Sequence, residues 1–493
     1  MQLKALVSNL KPIRVEGSLD REIAGIAYDS RRVKKEFLFV ALRGERADGE
    51  SFAQSAIEQG AVAIVSESAA GKSRATRVVV ENARAALADL AAAFYKRPGD
   101  HLKITGVTGT NGKTTTSFLL KHICESALLR CGLIGTVRYE VGERRLPAPR
   151  TTPESLDIQE LLFQIRSAGC KAAVMEVSSH ALMQERVRHV EFDAAIFTNL
   201  TQDHLDYHGT MENYFEAKAR LFTGLSSQVK KQGRAIINID DRYGVKLAAM
   251  MPGGIPLVTF GLHQRADFRA SNLRMDFSGA SYQLDTGDKS YLVRLPLIGR
   301  FNMYNSLGAV AAASVLGIDV RTAVLSLASA PPVPGRLEAV PGRRQFKVFV
   351  DYAHTDDALI NVMKTLRDLS PNRLIVVFGC GGNRDRAKRP LMGAAVDELA
   401  DWGIITSDNP RSEAPEAIIA EIERGFTKKN YEVVVERKAA IFSAISMARA
   451  RDVILIAGKG HEASQEFADH IVPFDDVSMA RQALEAKPVE MKN

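Results

Sequence analysis

The chain has 493 residues, enough for about three domains at roughly 150 residues each. Hydrophobic residues make up 46% and charged residues 25%, ordinary globular values that exclude collagenous, disordered and disulfide-scaffold chains. The net charge of +7 is modest, and its densest basic run, Arg384 to Arg389, is too short for a nucleic-acid track, so no nucleic-acid partner is expected.

The opening Met1-Gln2-Leu3-Lys4 lacks the apolar core of a signal peptide. The longest uncharged stretch, Met303 to Ile318, falls short of the ~20 residues of a membrane helix, so no membrane insertion is expected. Cys124, Cys131, Cys170 and Cys380 form no CxxC pair, which argues against zinc ribbons and for a reducing, cytoplasmic location. An Ala-rich helical stretch, Ala83 to Tyr95, ends at Arg97-Pro98-Gly99-Asp100. A second break, Pro331 to Gly335, follows another Ala-rich segment. Prolines at this density stop helices and stiffen linkers, so the expected domains are 1–98, 99–335 and 336–493.

In the second domain the β-branched runs are Leu102–Val107, Ala172–Val177, Ala194–Leu200 and Ala235–Ile239. In the third they are Phe346–Val350, Leu374–Phe378, Gly403–Thr406, Tyr431–Val435 and Val453–Ile456. Uninterrupted apolar runs fit strands buried on both faces, so the fold class is α/β with mainly parallel sheets. Ligands of such sheets bind beyond the carboxyl ends of the strands.

The strongest local signal lies there: Ile104-Thr-Gly106-Val-Thr-Gly109-Thr110-Asn111-Gly112-Lys113-Thr114-Thr115. A strand enters a glycine-rich loop, and a helix is expected from about Thr114, with Leu119, Leu120, Ile123 and Ala127 on one face. Converging backbone N–H groups and a helix N-terminus suit phosphate, Lys113 can reach the β/γ-phosphates, and the Thr114 hydroxyl suits Mg²⁺. The spacing is GxxGxxGKT, with Val107 where the usual phosphate loop has glycine. A ligand-free turn would not bring strand, glycines, Lys-Thr and helix together, so the segment is read as a nucleoside triphosphate site.

Other candidates are open on local sequence alone. Glu176, at the end of its strand, is a surface cap or an Mg²⁺ partner. His204 and His208 share i, i+4 spacing, but no HExxH or cysteine supports zinc. Lys218 reads as a solvated helical charge. Asn302 and Asn305 precede an Ala-rich helix and read as caps. Ser178, Ser179 and His180 mimic a hydrolase site without a G-x-S-x-G elbow. Asp408-Asn409-Pro410-Arg411 reads as a tight loop.

Taken in order, the motifs resemble the Mur ligase family, the ATP-dependent amino-acid ligases of peptidoglycan precursor synthesis. The resemblance rests on the GxxGxxGKT loop and on Tyr28 to Arg31, Thr151-Thr152-Pro153, Met175 to His180, Asp203 to His208 and Glu216-Ala-Lys218. It continues through Gly299 to Asn305, Pro334 to Glu338, Asp351 to His354, Asp408 to Arg411 and Gly458-Lys-Gly-His-Glu462, and so covers essentially the whole chain.

The resemblance implies three α/β domains: a smaller N-terminal domain for the UDP-sugar, a central P-loop ATPase-type sheet, and a C-terminal Rossmann-like domain for the amino acid. It implies that the γ-phosphate of ATP passes to the terminal carboxylate of a UDP-linked muramoyl dipeptide. An amine, meso-diaminopimelate, then attacks the acyl phosphate, and ADP and phosphate are released. Lys113, Glu176, His204 and Lys218 would carry the chemistry. Glu176 would be shared between two Mg²⁺ ions, His204 would bind the second, and Lys218 would be carbamylated by CO₂ to give an oxygen ligand. Asn305 would read adenine with Asn302 in support, and Arg336, Asp351 and His354 would face the nucleotide. The linker ahead of Arg336 would permit domain closure.

Ser30 with Glu45, Arg46 and Ala47 would hold uridine, and Thr151, Thr152, Ser178, Gln184 and Arg186 the sugar–peptide end. Arg384, Asp408, Asn409, Pro410, Arg411, Gly458 and Glu462 would take diaminopimelate. Arg411 would clamp its distal carboxylate, and Glu462 suits an ammonium. Family members often continue DNPRxEDP, whereas Ala414 follows Glu413 here. The expected partners are small molecules only, and the expected state is a monomer. The rival readings are the same ligase using L-lysine, another amide ligase such as folylpolyglutamate synthase, a P-loop ATPase without ligase activity, and a UDP-sugar-binding scaffold.

Overall fold

The apolar runs become strands of parallel sheets, and alternate side chains of each strand enter opposite cores. The computed structural model describes residues 1–44, 48–68, 74–263 and 265–486. They divide into two compact units. The first comprises Met1–Arg269, Asp285–Ser290 and Tyr304–Ser326; the second comprises Ala270–Leu284, Tyr291–Met303 and the chain from Leu327. No helix among the described residues is long and apolar enough to cross a membrane.

One sheet and most of an eleven-stranded second lie in the first unit. One orders Arg14–Glu16, Thr76–Val79, Ala61–Ser66, Phe37–Val40 and Gly25–Ala27, parallel except for Arg14–Glu16. The helix Ala83–Phe94 shares a core with it through Leu87, Leu90, Val65 and Val78. Asn82 caps this helix by accepting the Ala85 N–H at 3.0 Å.

The other sheet orders Leu257–Gly261, Arg234–Asn238, Ala194–Phe197, Lys103–Thr108, Ala172–Glu176 and Cys131–Ile134, all parallel. Arg138–Val141 and Arg144–Pro147 extend it as an antiparallel edge. Those two strands escape the reading of apolar runs because the second of them, at the edge, is largely exposed and charged. Lys103–Thr108 comes first in the chain but sits between Ala194–Phe197 and Ala172–Glu176. This reversal of strand order opens a crevice at the carboxyl ends, and the register pairs Glu176 with Val107, just before the phosphate loop.

The second unit is built on Glu338–Val340, Lys347–Asp351, Val453–Ala457, Leu374–Phe378, Trp402–Ile405 and Tyr431–Val433, in that order and parallel after the first. Leu374, Val376 and Phe378 enter one core with the helix Asp356–Arg367. Ile375 and Val377 enter another with the helix Arg437–Met447. That two-sided burial is why the run LIVVF carries no polar residue.

Candidate active site

The helix after the phosphate loop starts at Lys113, one residue earlier than expected. Gly109 and Gly112 hold φ of +146° and +87°. A Cβ at Gly109 would lie 1.9 Å from Thr198 Oγ1, and one at Gly112 2.3 Å from Asn305 Oδ1, so both positions demand glycine. The loop is braced from the neighbouring strand's exit. Thr110 N–H donates to the Asn199 carbonyl (2.9 Å), Asn111 N–H donates to Asn199 Oδ1 (3.0 Å), and the Thr198 hydroxyl donates to the Asn111 carbonyl (2.6 Å). Lys113 Nζ folds back on the carbonyls of Gly109 (2.9 Å) and Thr110 (2.8 Å), and Thr115 is buried one residue beyond Thr114. Such a loop with a helix N-terminus behind it is built for anions.

Beneath the loop, the Thr114 hydroxyl donates to Glu176 Oε2 at 3.0 Å. Thr136 secures the same carboxylate through its N–H to Oε1 (2.8 Å) and its hydroxyl to Oε2 (2.9 Å). Glu176 is fully buried, so it is no surface cap. Lys218, on the helix Met211–Thr223, is also buried, against the local reading of a solvated charge. Its ammonium donates to the Gly109 carbonyl at 2.8 Å, the carbonyl that Lys113 also uses, and sits 4.6 Å from the centre of the Tyr214 ring. Burial pushes the Lys218 amine well below the usual lysine range, and Lys113 adds to the push.

His204 stands at the start of the short helix Leu205–His208, in left-handed backbone at φ +53°. Its ring lies 4.9 Å from that of His180 and 6.2 Å from that of Tyr214. Burial lowers its pKa; Asp203 opposes this, while Lys113 and Lys218 reinforce it. His208 packs on the same two rings, Tyr214 and His180, but its own ring also meets Ser179 Oγ at 2.9 Å. Among the described residues no group of three or more His, Cys, Asp or Glu is arranged to hold a metal ion.

The residues expected at the sugar–peptide end adjoin this cluster. Thr151 and Thr136 hydroxyls meet at 3.0 Å. Thr152 donates to the Glu176 carbonyl (2.8 Å) and accepts the Ser178 N–H (3.0 Å). Ser178 caps the helix Ser179–Met183. Arg186 donates to the Thr152 carbonyl (2.8 Å) and to Gln184 Oε1 (2.6 Å), and pairs with Glu154 at 3.3 Å. Ser30 lies in a turn that Asp29 caps, and the neighbouring Tyr28 hydroxyl donates to Asp157. Glu45, Arg46 and Ala47 lie outside the described residues.

Asn302 and Asn305 lie inside the helix Arg300–Val315 rather than ahead of it. The helix passes from one unit to the other between Met303 and Tyr304. Asn302 donates to the Ile298 carbonyl at 2.8 Å, and Asn305 accepts the Thr116 hydroxyl at 3.4 Å beside Gly112. In the second unit, Asp351 is buried and accepts the N–H groups of Leu337 (2.6 Å) and Ala353 (2.8 Å). Arg336 lies over the Tyr352 ring, and His354 is exposed, its ring meeting the Tyr352 carbonyl at 2.9 Å.

The segment 408–411 forms a second, distinct cluster. Asp408, Asn409 and Pro410 are buried, while Arg411 takes left-handed backbone at φ +51°. Arg411 Nε donates to Glu466 at 2.9 Å and Nη1 to the Gly382 carbonyl at 2.9 Å, so it is anchored rather than solvated. Asn409 Nδ2 donates to Glu462 Oε2 at 2.8 Å. Gly458, at φ +113°, lies so close to Asp408 that a Cβ would come within 2.6 Å of its carboxylate. Arg384 is exposed, with Gly381 between it and Arg411. Glu413 does not face this cluster; it binds the buried Arg389 and the Asn383 N–H, which hold its carboxyl at about 2. These bonds are made without an aspartate after Glu413, so Ala414 leaves them intact.

Sequence reading missed Thr136, Thr198, Asn199, Tyr214, Lys459 and Glu466. Thr198 and Asn199 follow a buried strand's carboxyl end and carried a usable signal. The others act through packing that no local pattern reveals.

Family comparisons agree along the whole chain. Residues 22–95 match the Mur ligase family catalytic domain, 107–313 the Mur ligase middle domain, and 335–460 the Mur ligase glutamate ligase domain. A protein of Syntrophomonas wolfei named UDP-N-acetylmuramoyl-L-alanyl-D-glutamate–2,6-diaminopimelate ligase is 46% identical, covering 99% of this chain and 100% of its own. A solved structure of a ligase of that name superposes with a TM-score of 0.70 at 35% identity, covering 98% of both chains. The folylpolyglutamate synthase of Mycobacterium tuberculosis, solved with ADP and AMPPCP, shares the fold at a TM-score of 0.64 but only 18% identity, covering 82% of this chain and 96% of its own. The likeness spans every sheet described above, and the chain belongs to the Mur ligase family.

Proposed function

We propose that this protein is an ATP-dependent ligase joining meso-diaminopimelate to UDP-N-acetylmuramoyl-L-alanyl-D-glutamate, acting in the cytoplasm as a monomer in cell-wall synthesis. One observation carries the reading: the chain is alike over its full length to a relative named for that reaction. The folylpolyglutamate synthase likeness is one of fold alone. The domain limits 1–98, 99–335 and 336–493 belong to the same proposal, and they are supported by the strands of each of the four sheets falling within one of these ranges.

In this reading Lys113 and the N–H groups of the phosphate loop hold and neutralise the ATP phosphates. The γ-phosphoryl group passes to the D-glutamate carboxylate, leaving ADP. The deprotonated amine of diaminopimelate attacks the acyl phosphate carbon, and the tetrahedral intermediate expels phosphate as the amide forms. Both first reactants are anions, so alignment and charge neutralisation supply most of the catalysis. Thr114, Glu176, His204 and Lys218 are proposed to hold Mg²⁺, with Lys218 as its carbamate. The buried Lys218 ammonium, crowded by Lys113 on one carbonyl, supports this: loss of one proton gives the neutral amine, and its addition to CO₂ with loss of a second proton gives a carbamate, so a repelled cation is replaced by two anionic oxygens. The resulting donor set fits a hard divalent cation, which when bound would offset repulsion between polyphosphate and carboxylate. Asn302, Asn305, Arg336, Asp351 and His354 would serve the nucleotide, Ser30, Thr151, Thr152, Ser178, Gln184 and Arg186 the UDP-sugar and peptide, and Arg384, residues 408–411, Gly458 and Glu462 the diaminopimelate.

Mass spectrometry of products, with diaminopimelate and L-lysine offered in parallel, tests it. The UDP-linked tripeptide containing diaminopimelate should form with one ADP and one phosphate per amide. AMP as the stoichiometric product, or ATP hydrolysis without amide, would overturn it.

A further inference from the structure

Lys459 is completely buried, yet it belongs to none of the sites assigned so far. Its ammonium donates to Asn409 Oδ1 at 2.9 Å and to Glu462 Oε2 at 3.2 Å. Asn409 closes the triangle by donating Nδ2 to the same Glu462 oxygen at 2.8 Å. Its Oδ1 also accepts the Glu466 N–H at 3.1 Å, and the Glu466 carboxylate takes Arg411 Nε at 2.9 Å. One buried cation thus ties a carboxylate, Glu462, to a guanidinium, Arg411, through the Asn409 amide and Glu466. Both bonds that hold Glu462 fall on Oε2, and its Oε1 has no protein hydrogen bond among the described residues. With the side chain 34% exposed, that oxygen can be presented to a ligand.

We infer that Lys459 is a positioning residue that fixes the spacing of Glu462 and Arg411, and through it the choice of stereoisomer at the distal centre of diaminopimelate. The inference rests on the proposed reaction. The distal carbon bears an ammonium, a carboxylate, a hydrogen and the chain. With the chain direction set, an ammonium acceptor and a carboxylate donor at fixed spacing accept one configuration; the opposite one exchanges the two charged groups and sets like charge against like. If either partner can drift, the two configurations become harder to tell apart. The triangle limits drift because the fully buried Lys459 bonds both Glu462 Oε2 and Asn409 Oδ1, atoms that Asn409 Nδ2 and the Glu466 N–H also hold.

The test is kcat/KM for the meso and LL isomers, with UDP-dipeptide and ATP saturating, in wild type, Lys459→Met, Lys459→Arg, Glu462→Gln and the Lys459→Met/Glu462→Gln double variant. Lys459→Met should lower kcat/KM for the meso isomer by roughly 10- to 100-fold, mainly through KM, and shrink the meso-to-LL ratio, while KM for ATP stays unchanged. Lys459→Arg, which keeps the charge, should recover part of both. In the Glu462→Gln background, Lys459→Met should cost less than about 3-fold, because the group it positions is already altered. An unchanged isomer ratio, or the same cost in both backgrounds, would show that Lys459 merely supports the fold. Should Lys459→Met not fold, the isomer ratio of Lys459→Arg decides: a ratio equal to wild type overturns the inference, and a reduced one supports it. A wild-type enzyme that uses neither isomer would sink the proposed reaction instead, a separate outcome.

Discussion

Lys218 in the first unit and Lys459 in the second are both sealed from solvent, at 1% and 0% exposure, yet they answer burial differently. Lys218 donates to a neutral carbonyl that Lys113 also uses, with an aromatic ring beside it. Lys459 is shared between an amide oxygen and a carboxylate that an asparagine already holds. A buried cation crowded by its own kind favours any chemistry that removes its charge, whereas one matched by a carboxylate stiffens what surrounds it. The same contrast separates the two clusters as wholes. The phosphate-loop cluster gathers positive charge for ligands that bring negative charge, while the 408–411 cluster is internally paired and offers only selected atoms.

The largest effect should come from breaking the first side of this contrast. Lys218→Arg keeps a positive charge but cannot form a carbamate, so kcat at saturating Mg²⁺ should fall by at least about 100-fold, as far as in Lys218→Ala. Near-normal turnover of Lys218→Arg would show that Lys218 acts only as a buried cation, without a carbamate.

Arg411→Ala probes the second side. Losing a charge-assisted contact to a substrate carboxylate costs ~2–5 kcal/mol, and because two Arg411 donors are already engaged by Glu466 and Gly382, the lower end, roughly 30-fold in kcat/KM, is expected. L-Lysine lacks the distal carboxylate and should lose far less. Parallel kinetics with both amino acids check this, and equal losses would mean that Arg411 only anchors its loop.

The smallest effect concerns stability. The Arg389 hydrogen bond, with the Asn383 N–H, holds the Glu413 carboxyl at about 2 against an ordinary 4.5. Its folded pKa is depressed, so its contribution is complete above pH 4.5 and disappears as pH falls towards 2. Glu413→Gln should therefore lower Tm by a few degrees, about 2–4 °C, at neutral pH. Thermal melts of the two proteins should converge below pH 4.5; a gap that widened in acid would contradict the pairing.

By itself the sequence determined the α/β class, the parallel strands and the phosphate loop. These depend on short-range rules: a strand buried on both faces must be apolar throughout, as LIVVF is, and a backbone turned to φ +87° against Asn305 must be glycine. The DNPR segment is also legible as a tight loop, but nothing local shows that Glu466 and Gly382 anchor its arginine. Only tertiary structure decided which charges are buried and beside what. No local pattern marks Lys218, Lys459 or Glu176 as buried, because desolvation and pairing arise from residues 40 to 109 positions away: Gly109 for Lys218, Asn409 for Lys459, Thr114 and Thr136 for Glu176. Periodicity records which face of an element is apolar, but it carries no information about which other element will close over a particular charge.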